Sequence, residues 1–231
     1  MFGWKQAYGR YASFRTSRKE FSEFGVCVVT ERWNCDIQDV TGLLTSKSDL
    51  TEFDSLDTMA RTNSPEMVDA VTHEKMHKNL AHREIRIIHH KEKSTDSFAR
   101  YAWNPRLFLM NSGGSHHFSA ARYIASSIQE LFTLTGTLRH YSINQTAVDS
   151  LTSEFDMFAI VVNFSSDFNN AMSRFQATYL VMELPHPFCD GIAIFLPKAE
   201  SRSMKVSKVM RTAGITDLTA YLKDLVDRQK K

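Results

Sequence analysis

Twenty residues constrain the fold more than any other stretch of the chain: Arg106-Leu-Phe-Leu-Met-Asn-Ser-Gly-Gly-Ser-His-His-Phe-Ser-Ala-Ala-Arg-Tyr-Ile-Ala125. The apolar run at 106–110 reads as a strand. Phe118, Ala121, Ile124, Ile128 and Leu131 recur at three-to-four spacing, which predicts a helix over 118–132. Only a Gly-Gly turn separates the two. Gly113 and Gly114 allow backbone angles and close approach that a side chain would block. A strand passing into a helix through so short a turn belongs to a sheet with a helix on its face, and Ala120 and Ala121 are small enough to let the two lie close.

Further strands are predicted at 24–30, 84–89, 137–143, 157–163, 177–183 and 192–196, the first of them buried because it is β-branched. A helix is predicted to start at Ser64-Pro65-Glu66 and run to about residue 80, since Ser can cap, Pro fits the first turn and the acid suits the positive dipole end. A last amphipathic helix begins near Asp217. Strands and helices mixed without regular alternation indicate an α+β class, with a mixed β-sheet flanked by helices. At 231 residues with 42% apolar content, the expectation is a single domain over 1–231. Within it, 1–23 is a basic, aromatic N-terminal segment, 36–64 an acidic, Ser/Thr-rich surface excursion and 84–164 the phosphate-binding core.

The chemistry concentrates at the glycine turn. The first free N–H groups of a helix converge there with its positive dipole end, an arrangement that binds anions. Gly113, Gly114, Ser115 and His116 would surround such an anion, with Arg122 and Arg106 as supporting cations. Ser115, His116 and His117 are the candidate catalytic residues, because an imidazole near neutral pKa can move a proton. Glu84, Glu92 and Asp96 are the candidate carboxylates.

Gly113-Gly114-Ser115-His116-His117-Phe118-Ser119-Ala120-Ala121 resembles the nucleotide-phosphate motif of the ParB and sulfiredoxin superfamily, whose sulfiredoxin branch reads Gly-Gly-Cys-His-Arg-Tyr-x-Ala before its helix. The strand before it and the strand at 137–143 follow in the same order. The resemblance implies a ParB/sulfiredoxin-like core with N- and C-terminal additions. It also implies a site for the phosphate of a nucleotide or a nucleic-acid backbone, and phosphoryl transfer or phosphodiester cleavage as the chemistry. Ser115 stands where sulfiredoxin has its cysteine, and a hydroxyl is far less nucleophilic toward sulfur, so sulfinic-acid repair does not carry over. His117 stands where the family has a phosphate-binding arginine, and it lacks that residue's bidentate fork.

A rival pattern lies upstream. His73-Glu74-Lys75-Met76-His77 satisfies H-E-x-x-H on a predicted helix, where His73 and His77 could hold Zn²⁺ and Glu74 activate water in a zinc hydrolase. Seven of the nine histidines fall between residues 73 and 117, which raises the rate of accidental matches, and no third ligand follows at a familiar spacing. The cofactors these readings admit are a nucleotide and a divalent metal ion.

Net charge is only +2, so electrostatic argument rests on local clusters. Arg202, Lys205, Lys208 and Arg211 recur every three residues and could follow nucleic-acid phosphates, as could the basic residues of 1–19, while a solvated face is the plainer reading. Pro185-His186-Pro187 reads as a loop. Cys27, Cys35 and Cys189 form no C-x-x-C pair, no apolar run is long enough to span a bilayer and no secretory core opens the chain. A cytoplasmic protein with no membrane partner is expected. A nucleotide- or nucleic-acid-phosphate-binding protein is the leading function. A non-catalytic protein that binds nucleic acid or a partner protein is the alternative from a different class.

Overall fold

The computed structural model describes residues 1–89, 95–185 and 190–230; His90, Glu92 and Cys189 lie outside them, as do His186 and Pro187. The chain opens with β1 (Phe2–Ala7) and β2 (Arg10–Arg15), then β3 (Gly25–Asp36), β4 (Val40–Leu43), α1 (Leu56–Asn63), α2 (His73–Leu80) and α3 (Arg86–His89). Next come β5 (Ser97–Tyr101), β6 (Asn104–Met110), α4 (Ser115–Ser127) and β7 (Thr133–Ile143). It closes with α5 (Gln145–Glu154), β8 (Phe155–Val161), α6 (Ser165–Phe175), β9 (Tyr179–Glu183), β10 (Gly191–Pro197), α7 (Ser201–Thr212) and α8 (Leu218–Arg228). The class is α+β, as predicted. Contacts divide the chain into two compact units, Cys27–Ser142 and the combination of Met1–Val26 with Ile143–Lys231.

The Cys27–Ser142 unit is a mixed five-stranded sheet in the order β3-β7-β5-β6-β4, with β4 parallel to β6, β5 parallel to β7 and β5 antiparallel to β6. Phe98, Leu107, Leu109 and Leu138 from the sheet meet Phe118, Ala121, Ile124 and Ala125 from α4 in one core. Each large side chain buried there contributes roughly 1.5–3 kcal/mol. α1 and α2 pack against α4. α4 is shorter than predicted, because Gln129 adopts φ +56° and the Glu130 amide turns back to the Ala125 carbonyl at 2.9 Å. That pairing closes the helix in a Schellman-type end and leaves Leu131 83% exposed.

Four other expectations need correction in this unit. Residues 84–89 are not a strand: the sheet is filled without them, and Ile85 and Ile87 reach the core from a turn and the short α3. Of the strand predicted at 24–30, residues 25–30 are extended but exposed, since β3 is an edge strand, and β-branching favours the conformation without ensuring burial. The stretch 36–64 is exposed along much of its length but is not surface alone, since Ile37, Val40, Leu43, Leu56, Met59 and Ala60 are buried and β4 is paired into the sheet. The helix predicted from Ser64 is two pieces, a 3-10 turn at Pro65–Met67 and α2, whose N-cap is Thr72.

The other unit is an antiparallel sheet in the order β2-β1-β9-β10-β8. The basic, aromatic N-terminal segment forms its outer hairpin: Trp4 stacks on Tyr179 at 5.1 Å and the Tyr11 hydroxyl donates to the Ala177 carbonyl at 2.8 Å. Lys5, Arg10 and Arg15 stay exposed. Asp156, 3% exposed, accepts from Ser207 Oγ at 2.6 Å and pairs with Arg211 at 2.9 Å. Burial raises its pKa, but hydrogen bonds from Arg211 and Ser207 and the nearby cations outweigh it, holding the carboxyl below its ordinary value. Its stabilisation is therefore present above the unfolded-state pKa of about 3.9 and is lost as pH falls through the lower folded value. Asp156→Asn is expected to cost roughly 1–3 kcal/mol at pH 7, with a gap to the native chain that shrinks as the pH is lowered towards the folded-state pKa, measured by urea unfolding at pH 7 and in acid.

Candidate functional site

β6 runs into Asn111, a residue sequence reasoning passed over, and its buried amide organises the turn. Asn111 Oδ1 accepts from the Leu44 and Thr45 amides at 3.1 and 3.2 Å, and Nδ2 donates to the carbonyls of Thr45 and Gly113 at 3.0 and 3.1 Å. The loop after β4 is thereby tied to the glycine pair. Gly114 sits at φ +70° and ψ 15° as the N-cap of α4. A Cβ there would stand 2.9 Å from the backbone of Glu84 and Ile85, so both the angle and the close approach require glycine.

These elements enclose a cleft of about 510 Å³. Thr45, Ser46 and Lys47 form one wall, Met67, His82 and Glu84 another, and Ser112 to His117 the floor. No side chain caps α4, and the amides of Ser115, His116 and His117 have no acceptor among the described residues. Ser115 is 7% exposed and lines the cleft, with no hydrogen-bond partner among the described residues. Glu84 is the acid lining the cleft, its Cβ 3.3 Å from where a Gly113 Cβ would lie.

The adjacent histidines have different surroundings. His116 is held at both ring nitrogens, Nδ1 to the buried Ser64 hydroxyl at 2.6 Å and Nε2 to Ser48 Oγ at 3.2 Å. Ser48 Oγ also accepts from Asn63 Nδ2 at 2.7 Å. Ser64, read in the sequence as a helix cap, serves this histidine instead. His117 contacts Asn79 Oδ1 through Nδ1 at 3.1 Å and stacks on His82, with centroids 3.8 Å apart and planes 15° from parallel. Desolvation first, then the neighbouring His82 and His116, lower its pKa. It is therefore a neutral imidazole at neutral pH.

Other sequence-predicted residues stand apart. Arg122 donates to the carbonyls of Val40 and Gln38 at 2.8 and 3.1 Å and pairs with Asp57, which commits its guanidinium to joining α4 to the segment before β4. Arg106 is exposed near the start of β6, away from the glycine turn at its other end. Asp96 accepts from the Ser112 amide and hydroxyl at 3.0 and 2.6 Å, and Arg86 donates to Ser112 Oγ at 2.7 Å, so these two brace the turn. His73 is exposed and pairs with Glu130, while His77 lies on the exposed side of α2. Neither lines the cleft. Among the described residues, no group of three or more His, Cys, Asp or Glu is arranged to hold a metal ion. Helix α7 keeps Arg202, Lys205 and Lys208 exposed, whereas Arg211 is engaged with Asp156 and Asp217. Among the described residues, no helix is long and apolar enough to cross a membrane.

Comparison with protein families gives one match, to the model of a family of unknown function, DUF6685, over residues 30–231. The chain belongs to that family. Every residue lining the cleft falls within the DUF6685 match, as do Asn79 and Asn111. No curated protein and no solved structure matches the chain.

Proposed function

We propose that the cleft over the N-terminus of α4 binds the phosphate of a nucleotide, that its surroundings form a ParB/sulfiredoxin-like core, and that the chemistry it serves is phosphoryl transfer or phosphodiester cleavage. The observation that carries this reading is Ser115: a hydroxyl in a residue only 7% exposed, without a partner among the described residues, lining the same cleft as three amides without acceptors. The Ser115 hydroxyl stays accessible from the cleft, so it and the free amides can exchange water for an oxyanion that accepts from several donors at once. Lys47 supplies a cation at the rim. The cleft volume lies within the range of roughly 300–1,000 Å³ usual for small-molecule sites. His117 is the group suited to proton transfer, and His116, occupied at both nitrogens, fixes the loop wall against α4.

Glu84 shapes the ligand that fits. Its carboxylate repels an anion placed close to Gly113 and accepts a hydrogen bond from a ligand hydroxyl. Glu84→Gln is therefore expected to tighten inorganic phosphate by roughly 2–10-fold, measured by isothermal titration at low salt, because one like charge is removed. Weaker binding in that variant would place the phosphate elsewhere.

The direct test is thermal stabilisation across nucleoside mono-, di- and triphosphates, with inorganic pyrophosphate and a short single-stranded DNA alongside. Selective binding raises the midpoint according to ligand concentration over Kd. The expected result is stabilisation by nucleotides that pyrophosphate reduces by competition. No shift with any nucleotide would overturn the reading, and a shift with DNA alone would replace it with backbone binding. Phosphorus NMR of the stabilising nucleotide then separates turnover from capture.

A further inference from the structure

We infer that Asn79 is a positioning residue that fixes His117 in the tautomer with Nδ1 protonated and a bare Nε2 lone pair. What that lone pair acts on rests on the phosphate-cleft reading above; the tautomer does not.

Asn79 is 3% exposed, on the side of α2 turned toward α4, and it makes three contacts through two kinds of atom. Nδ2 donates to the Met67 carbonyl at 2.9 Å and the Lys75 carbonyl at 3.2 Å. Carbonyl oxygens only accept, so the amide cannot be turned over without setting Oδ1 against two acceptors. That leaves Oδ1 facing His117 Nδ1 at 3.1 Å. An amide oxygen cannot donate, so Nδ1 must carry the proton. A neutral imidazole carries one, so Nε2 is bare. Burial keeps the ring neutral, and the His82 ring stacked at 3.8 Å resists its rotation. The charged or titratable groups acting on His117 are His82, His116, Glu84 and Glu66.

The consequence is a directional acceptor in a cleft whose other groups at α4 are donors. A ligand hydroxyl or water reaching Nε2 can hand it a proton, and the resulting imidazolium keeps its Nδ1–H bond to Asn79. Helix α2 thus serves the cleft through Asn79, two residues after His77, and not through the H-E-x-x-H histidines.

Imidazole nitrogen NMR of the ¹⁵N-labelled full chain reads the tautomer without any ligand, at a pH above the titration of His117, with His117→Gln used to assign its signals. The expected native pattern is a protonated Nδ1 and an unprotonated Nε2. In Asn79→Ala the ratio of Nε2–H to Nδ1–H is expected to rise roughly fivefold or more, the worth of one hydrogen bond of about 1 kcal/mol. A proton on Nε2 in the native chain overturns the inference. So does an unchanged tautomer in an Asn79→Ala chain whose backbone amide spectrum is native-like. Should that variant not fold, the native pattern decides alone. Failure of nucleotide binding with the Nδ1–H tautomer observed would remove the phosphate reading and leave this one standing.

Discussion

Gly114→Ala is expected to destabilise the Cys27–Ser142 unit by about 2–5 kcal/mol, far more than Gly113→Ala. Two penalties add at position 114. An L-residue held at φ +70° costs roughly 1–2 kcal/mol. The new Cβ would also stand 2.9 Å from the Glu84 carbonyl carbon and oxygen and the Ile85 nitrogen, all main-chain atoms that move only with the segment, and such overpacking costs roughly 1–3 kcal/mol. At Gly113 the nearest atom is Glu84 Cβ at 3.3 Å, a milder contact without an unfavourable φ. Urea unfolding in a Trp4→Phe background, which leaves Trp33 and Trp103 as reporters of this unit, measures both variants. Equal losses would mean that the glycine pair does not support the tight crossing of Glu84 and Ile85 described above.

The second large effect separates the site from the fold. Ser115→Asp places a carboxylate at the first residue of α4, where the dipole favours negative charge by about 0.3–1 kcal/mol. The same carboxylate would occupy the position assigned to the phosphate. Stability is expected to change by less than about 1 kcal/mol, while nucleotide affinity falls at least about 100-fold, since like charges in contact cost several kcal/mol. Ser115→Ala removes one hydrogen bond to a charged group, worth about 1.5–3 kcal/mol, and should weaken binding roughly 10–100-fold. Isothermal titration gives both values. A Ser115→Asp chain that binds as the native one does would detach this helix end from the ligand.

The parts of the structure legible in the sequence are those fixed by local chemistry. The strand into the Gly-Gly turn, the helix after it, strands β8 to β10 and the Asp217 cap of α8 all follow from apolar period and capping residues within a few positions of one another. Asn144, which caps α5 by accepting from the Thr146 and Ala147 amides, is the same kind of local signal. What local pattern could not supply was tertiary. Glu84-Ile-Arg-Ile-Ile has strand composition, yet it lies against Gly114, where the turn leaves room for a crossing main chain. Residues 36–64 look polar on average, while Ile37, Val40, Leu43 and Leu56 among them reach the core and Leu44 stays exposed.

The site divides in the same way. Ser115, His116 and His117 were legible because they sit at a helix start, and His116 and His117 come to resemble each other only in sequence: one is bound at both nitrogens by Ser48 and Ser64, the other backed by Asn79 and stacked on His82. Those partners lie 35 to 68 positions away, and nothing near them in the sequence announces the contact. The helical distance of Arg122 from the turn is compatible with a ligand cation, but the carbonyls of Gln38 and Val40 and the Asp57 carboxylate take up its guanidinium.

Under the proposed function the bare amides at the start of α4 receive a phosphate, and those amides can be observed one by one. In a backbone ¹H–¹⁵N titration of the full chain with the nucleotide that stabilises it most, the amide protons of Ser115, His116 and His117 are expected to move downfield, in step, with one saturable Kd. Inorganic pyrophosphate should reproduce the shifts. Saturable binding that leaves these three amides unmoved while others shift would place the nucleotide away from the start of α4.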